Sequence, residues 1–257
     1  MNLSLPFTGR RKEIAQLRRL HARRKHVLIV GSEGIGKSAL VAQLKDTLSL
    51  VVCAQSETLG EICHHLETEL NSPAPYLHLV QRKNRLLKIL AETRRTVVFD
   101  GAGWTTPKIS SFFESAMECA PVWICAQSEL AHDIGHFWPL LARFGTIKLQ
   151  PFHFSEMRAL LSAAVASGQI PSSVEPFARQ LHQLANGLPL ALRELLEQFA
   201  AGHYKLSRQA GLQLLTLDRR IKSLPAVNDN NTGARIAKST GFRKSASCGQ
   251  GCPRSEP

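Results

Sequence analysis

Residues His26–Ala42 read HVLIVGSEGIGKSALVA. His26–Val30 is a short apolar run of the kind that forms a buried strand. The next eight residues, Gly31-Ser32-Glu33-Gly34-Ile35-Gly36-Lys37-Ser38, fit G-x4-G-K-S/T, the phosphate-binding P-loop. Its glycines let successive backbone N–H groups turn inward around phosphate oxygens. The helix expected from Ser38 adds the positive end of its dipole. Lys37 reaches the β- and γ-phosphates, and the Ser38 hydroxyl can ligate Mg²⁺. Residues Gly31 to Ala39 are therefore the expected nucleotide-binding segment, and strand before and helix after is the context the motif requires.

Outward from this stretch, strand and helix signals alternate. Leu3–Lys25 is a basic amphipathic entry with Ile14, Leu17 and Leu20 spaced along one helix face. After the helix over 38–48, strands are expected at 50–55, 96–103, 121–129 and 146–152. Helices are expected at 59–70, 77–93, 108–119 and, despite Pro139, 133–144. This order predicts an α/β fold, a parallel five-stranded P-loop NTPase sheet flanked by helices. Beyond Phe152 the strand signal stops. FSEMRALLSAAVASGQI, SVEPFARQLHQLANG and LPLALRELLEQFAAG read as successive helices. We read 1–150 as the nucleotide-binding part, 151–222 as a small all-α lid domain, and 223–257 as a disordered tail. The tail is poor in large apolar residues and sets Arg235, Lys238, Arg243, Lys244 and Arg254 against Asp229 and Glu256.

The 257 residues carry a net charge of +12 with 44% apolar side chains. That balance fits a folded protein with acidic partners, nucleic acid among them. The run RRLHARRK (18–25) is either a solvated helix face or a phosphate-contacting one. No run approaches the ~18 apolar residues of a membrane span, and MNLSLPFTGRRKE lacks a signal-peptide core. We expect a cytoplasmic protein with no membrane partner. Cys63-His64-His65 puts adjacent side chains on different sides of a helix, and Cys248 with Cys252 lacks a second ligand pair, so no zinc site is expected.

The second chemical element is VVFDGAGW. Asp100, ending a buried strand downstream of a P-loop, suits the Walker B role of holding Mg²⁺; the other reading is an Asx turn into Gly101. At the end of PVWICAQSE, Gln127 or Ser128 is placed to sense the γ-phosphate, or is ordinary strand-end polarity. Glu129 is a weaker candidate for activating water.

Together these elements resemble AAA+ and STAND-type P-loop ATPases over about residues 5–220. Phe7-Thr8-Gly9-Arg10-Arg11-Lys12-Glu13 resembles their hhGRxxE entry motif, which implies that Gly9 and Arg10 border the adenine. Leu141-Ala142-Arg143-Phe144 resembles the arginine-finger box, which implies that Arg143 acts on a neighbour's nucleotide; the alternative is a cation at a helix C-terminus. Leu149-Gln150-Pro151-Phe152 and Asn186-Gly187-Leu188-Pro189-Leu190-Ala191-Leu192 resemble the junction and GLPLAL lid motifs of STAND and origin-recognition-like ATPases, which brings Pro189 to the nucleotide. Two positions depart from the pattern. Gly101 stands where many such ATPases carry the acid that polarises water, and Leu190 where many lids carry a sensor arginine; the nearest arginine is Arg193.

The resemblance implies ATP with Mg²⁺, and no guanine-specifying N-K-x-D run is present. Lys37, Asp100 and Arg143 are the expected catalytic residues. Two functions follow. One is an ATPase coupling ATP to conformational change or homo-oligomeric assembly on a partner, with DNA reached through the basic entry helix and tail, as in transposition and replication regulators. The other is a nucleotide-dependent switch that binds a protein partner with little hydrolysis.

Overall fold

The computed structural model describes residues 3, 5–54, 57–101 and 103–200. The chain divides into two units, Met1–Leu217 and Asp218–Pro257. The second unit, the tail read at 223–257 and residues 201–222 of the lid lie outside the described residues.

Five parallel strands form one sheet: β1 (Val27–Val30), β2 (Val51–Cys53), β3 (Val97–Asp100), β4 (Val122–Ala126) and β5 (Gly145–Lys148), in the order β2-β3-β4-β1-β5. The register pairs Val30 with Ala126 and Lys148, and Asp100 with Cys125. The P-loop and Asp100 thus leave the same, carboxyl-terminal edge of the sheet, with one strand between them. That edge is where open α/β sheets bind ligands. β1 and β4 are buried along their whole length, as expected of strands covered on both faces.

Alternate residues feed two cores. Leu28, Phe99 and Ile124 pack beneath α3 (Leu59–Glu69), α4 (Leu79–Thr93) and α5 (Pro107–Cys119). Ile29, Val98 and Trp123 face α1 (Arg11–Ala22) and α2 (Lys37–Lys45). The caps are written locally. Thr58 accepts from the Glu61 N–H in a capping box at the start of α3, and Thr106 precedes Pro107 at the start of α5.

The expected helix over 133–144 is not continuous. A four-residue α6 (Ala131–Ile134) stops at Gly135, whose φ of 71° no helix accommodates, and a 3₁₀ turn follows over Trp138–Arg143. The ring of Pro139 removes a donor there. Pro176 likewise divides the expected helix over 173–187 into a 3₁₀ segment, Ser172–Phe177, and α8 (Ala178–Ala185).

With α7 (Phe154–Ala166) and α9 (Pro189–Ala200), α8 encloses a separate apolar cluster that includes Met157, Leu161, Leu181 and Leu195. Leu3 and Leu5 pack against this cluster, and the Leu3 N–H donates to Glu197 Oε1 at 2.9 Å. Residues 3 and 5–10 therefore form a strap from the helical lid to the start of α1.

Candidate nucleotide-binding site

β1 delivers the chain at Gly31, and α2 begins at Lys37, so the loop between them is held at both ends by regular structure. The Lys37 ammonium donates to the Gly31 carbonyl at 2.6 Å and the Ser32 carbonyl at 3.0 Å. Burial pulls its pKa below the ordinary lysine value, while Cys125, Asp100 and Glu33 pull it back. Lys37 and Asp100 thus feel one another across the sheet edge. Cys125 lies beside Asp100 in register. Burial, and then the Asp100 carboxylate beside it, push its thiol well above the usual range. The thiol is therefore protonated and donates to Asp100.

These groups line a cavity of about 810 Å³, within the ~300–1,000 Å³ range of small-molecule sites. Its phosphate-suited lining comprises Gly34, Ile35, Gly36, Lys37, Ser38 and Ala39, joined by Asp100 and Gln127. Its apolar lining comes from the strap and the lid: Leu5, Phe7, Phe152, Leu160 and Pro189. A Cβ added at Gly36 would meet nothing within 4 Å, so the loop opens there onto the cavity. The Thr8 hydroxyl oxygen is buried on the cavity wall without a hydrogen-bond partner among the described residues. An apolar recess with an unsatisfied hydroxyl, continuous with a ring of loop amides and a lysine, fits a nucleoside polyphosphate. Ser38 and Asp100 supply the oxygen donors that Mg²⁺ prefers.

Arg10 ties this site together. It is 4% exposed, with φ at 56°. Its guanidinium donates to the Ile35 carbonyl at 3.0 Å and to Glu13 at 3.1 Å, and lies 4.5 Å from the centre of the Phe152 ring. Entry helix, P-loop and junction meet on one side chain. Gly9 borders Phe152 and Glu156 rather than the cavity. The two motifs of the lid also meet: the Phe152 N–H donates to the Gly187 carbonyl at 2.8 Å. Leu190, at the sensor position, donates its N–H to the Gly34 carbonyl at 3.1 Å, and a Cβ on Gly34 would come within 2.7 Å of the Leu190 Cβ. Arg193, one helical turn beyond, lines the cavity.

Three candidates stand elsewhere. Arg143 ends the turn before β5, at the amino-terminal edge of the sheet, where it pairs with Glu118 at 2.8 Å. That edge lies a strand's length from its own P-loop. Ser128 is committed to Asp133 and accepts from the Leu130 N–H at 3.1 Å. Glu129 is paired with Lys148 and does not line the cavity.

The sequence reading missed His132, Asp133 and Trp104, which all line the cavity. The first two were hidden within or beside an expected helix. Trp104, 63% exposed, was readable as an unexplained aromatic after DGAG. Among the described residues no group of His, Cys, Asp and Glu side chains is arranged to hold a metal by itself. No helix among them is long and apolar enough to cross a membrane.

Residues 19–130 match the family model described as AAA domain. The fold resembles Cdc6p from Pyrobaculum aerophilum (TM-score 0.60, 16% identity, 78% of this chain and 65% of that one). It also resembles the ORC1 protein of Aeropyrum pernix, solved in complex with DNA (0.58, 15%, 87% and 70%), and a Walker-type ATPase of Pyrococcus abyssi (0.57, 16%, 87% and 80%). The chain spans about two thirds of the length of the first of these. No curated protein matches it.

Proposed function

We propose that the chain, whose residues 19–130 match an AAA domain model and whose fold resembles Cdc6p and ORC1, is an ATP- and Mg²⁺-dependent ATPase of the AAA+, origin-recognition-like type that assembles on a nucleic-acid partner. The observation that supports the reading is that Lys37, Ser38 and Asp100 line one cavity together with residues of the strap and the lid. In this reading residues 1–150 bind nucleotide, 151–222 act as the lid, and 223–257 form a basic tail. Lys37 and the loop amides hold the phosphates, Ser38 and Asp100 hold the metal, Gln127 faces the γ-phosphate, and Pro189 with Phe7 borders the base. Mg²⁺, when bound, neutralises charge on the phosphates. The lid, fastened to the P-loop through Leu190 and Gly34, transmits nucleotide state to the rest of the molecule.

The partner assignment rests on charge. Arg18, Arg19, Arg23, Arg24 and Lys25 are all exposed, and Arg24 donates to the Arg94 carbonyl at 3.2 Å, which adds a second basic segment to the same edge. This rim is at the sheet edge opposite the nucleotide cavity, so the two ligands do not compete for space.

The test measures ATP binding, phosphate release and duplex-DNA binding on the full chain and on Lys37→Ala. The variant loses at least about tenfold in ATP affinity, as expected for a charged hydrogen-bond donor. DNA binding weakens with salt, with a log–log slope of about −4 to −5 if all five rim residues meet phosphates. ATP binding unaffected by Lys37→Ala would sink the site assignment; DNA binding absent at low salt with and without ATP would sink the partner. Gly101 favours a second reading, a nucleotide-dependent switch for a protein partner. Single-turnover phosphate release no faster than that of Lys37→Ala would select it.

A further inference from the structure

The acid that AAA+ patterns set after the Walker B aspartate is Gly101 here, yet the cavity has another carboxylate. We propose that Asp133 takes the proton of the attacking water; this rests on the hydrolytic reading above. Asp133 lines the same cavity as Lys37, Asp100, Gly101 and Gln127. The other two acids lining the cavity have other uses: Asp100 accepts from the Cys125 thiol at the proposed metal position, and Glu33 belongs to the P-loop itself. Glu129, the nearer candidate in sequence, is bound to Lys148 outside the cavity.

Asp133 is held as a positioned base must be. The Ser128 hydroxyl donates to its Oδ2, and His132 Nε2 lies 3.5 Å from its Oδ1. The turn bearing it is fastened to the segment just after Asp100 and Gly101. The Thr105 hydroxyl donates to the Ile134 carbonyl at 2.6 Å, its N–H donates to the same carbonyl at 3.1 Å, and Phe137 N–H donates to the hydroxyl at 3.0 Å. The His136 N–H closes the clamp on the Thr105 carbonyl at 3.1 Å. The carboxylate therefore stands on a rigid bridge between the strand tips of β3 and β4, where fixed geometry is most effective.

In the step, water loses a proton to an Asp133 carboxylate oxygen as its own oxygen bonds the γ-phosphorus. The bond from that phosphorus to the β,γ-bridging oxygen breaks, and ADP leaves with the electron pair. Asp133 then returns the proton to solvent.

The experiment compares full-length wild type, Asp133→Asn, Ser128→Ala and Glu129→Gln. It reads phosphate release and, separately, binding of a fluorescent ATP analogue and the ATP-induced shift in melting temperature. Asp133→Asn lowers kcat by about 100-fold or more while analogue affinity and the thermal shift stay within about threefold of wild type. Ser128→Ala lowers kcat severalfold at unchanged KM, and this variant carries the test if Asp133→Asn does not fold. Glu129→Gln turns over normally. The proposal is overturned if Asp133→Asn or Ser128→Ala matches wild-type turnover, or if Glu129→Gln suffers the loss instead. If wild type binds ATP but releases no more phosphate than Lys37→Ala, the hydrolytic reading fails first and takes this one with it.

Discussion

His26 immediately precedes β1, and its Nδ1 accepts the Val122 N–H at 3.1 Å, beside the ring of Phe144. A nitrogen that accepts a backbone bond carries no proton, so the fold selects the neutral imidazole. Burial, then the charges of Arg143 and Lys25, draw its pKa below the ordinary 6.5, with Glu118 opposing. The unfolded chain therefore binds a proton here more readily than the folded one. The resulting stability is complete above about pH 6.5 and is lost as pH falls below it, towards the lowered folded value. Melting curves at pH 7.5 and 5.5 should show a lower midpoint at pH 5.5. His26→Asn, which keeps an acceptor, should narrow that gap by roughly 2 °C; an unchanged gap would count against this role. At this scale the sequence disclosed groups that act with their immediate neighbours, such as Lys37 and Ser38 in an unbroken motif. It concealed Asp133, whose placement depends on the Ser128 hydroxyl bound to it and on Thr105 holding the neighbouring Ile134 from a distant segment.

Between elements, the contact that matters most joins the first turn of α9 to the P-loop. Gly34 has φ at 74° and no room for a side chain against Leu190. Gly34→Ala thus meets both a disfavoured backbone and a displaced lid, and we expect a loss of about 2 kcal/mol. Without nucleotide, the Leu190 amide should exchange with solvent markedly faster in the variant; equal exchange would show that the lid does not depend on this contact. The elements themselves were legible wherever period and punctuation agreed: β1 and β4 as apolar runs, α3 and α4 between clear breaks. The expected helix over 133–144 failed because the apolar spacing continued through Gly135 and Pro139, which halt a helix whatever its periodicity. Strand order is set by crossovers of chain over the sheet, and no local pattern encodes it.

For the whole molecule, we propose that Arg143 acts on the nucleotide of a neighbouring copy. It stands at the edge of the sheet away from its own P-loop, so it can meet a γ-phosphate only on another copy, through a head-to-tail contact. Arg143→Ala should bind ATP normally yet lose about 10³-fold in assembly-stimulated hydrolysis. Mixing it with Lys37→Ala should restore part of that rate, because each variant supplies what the other lacks. Mixtures no faster than the separate variants would exclude a shared site.

The strap has a consequence for how the protein is made. Leu3 and Glu197 are 194 residues apart in sequence, so the strap waits for the last helix described, translated long after it, before it can dock. Such distant pairs form late, because loop closure must precede them. During synthesis the β-sheet core, with its P-loop, can close while the apolar end of the cavity is still unbuilt. The nascent chain should therefore acquire its grip on phosphates before its grip on the base, and full nucleotide affinity should arrive only as the lid helix leaves the ribosome.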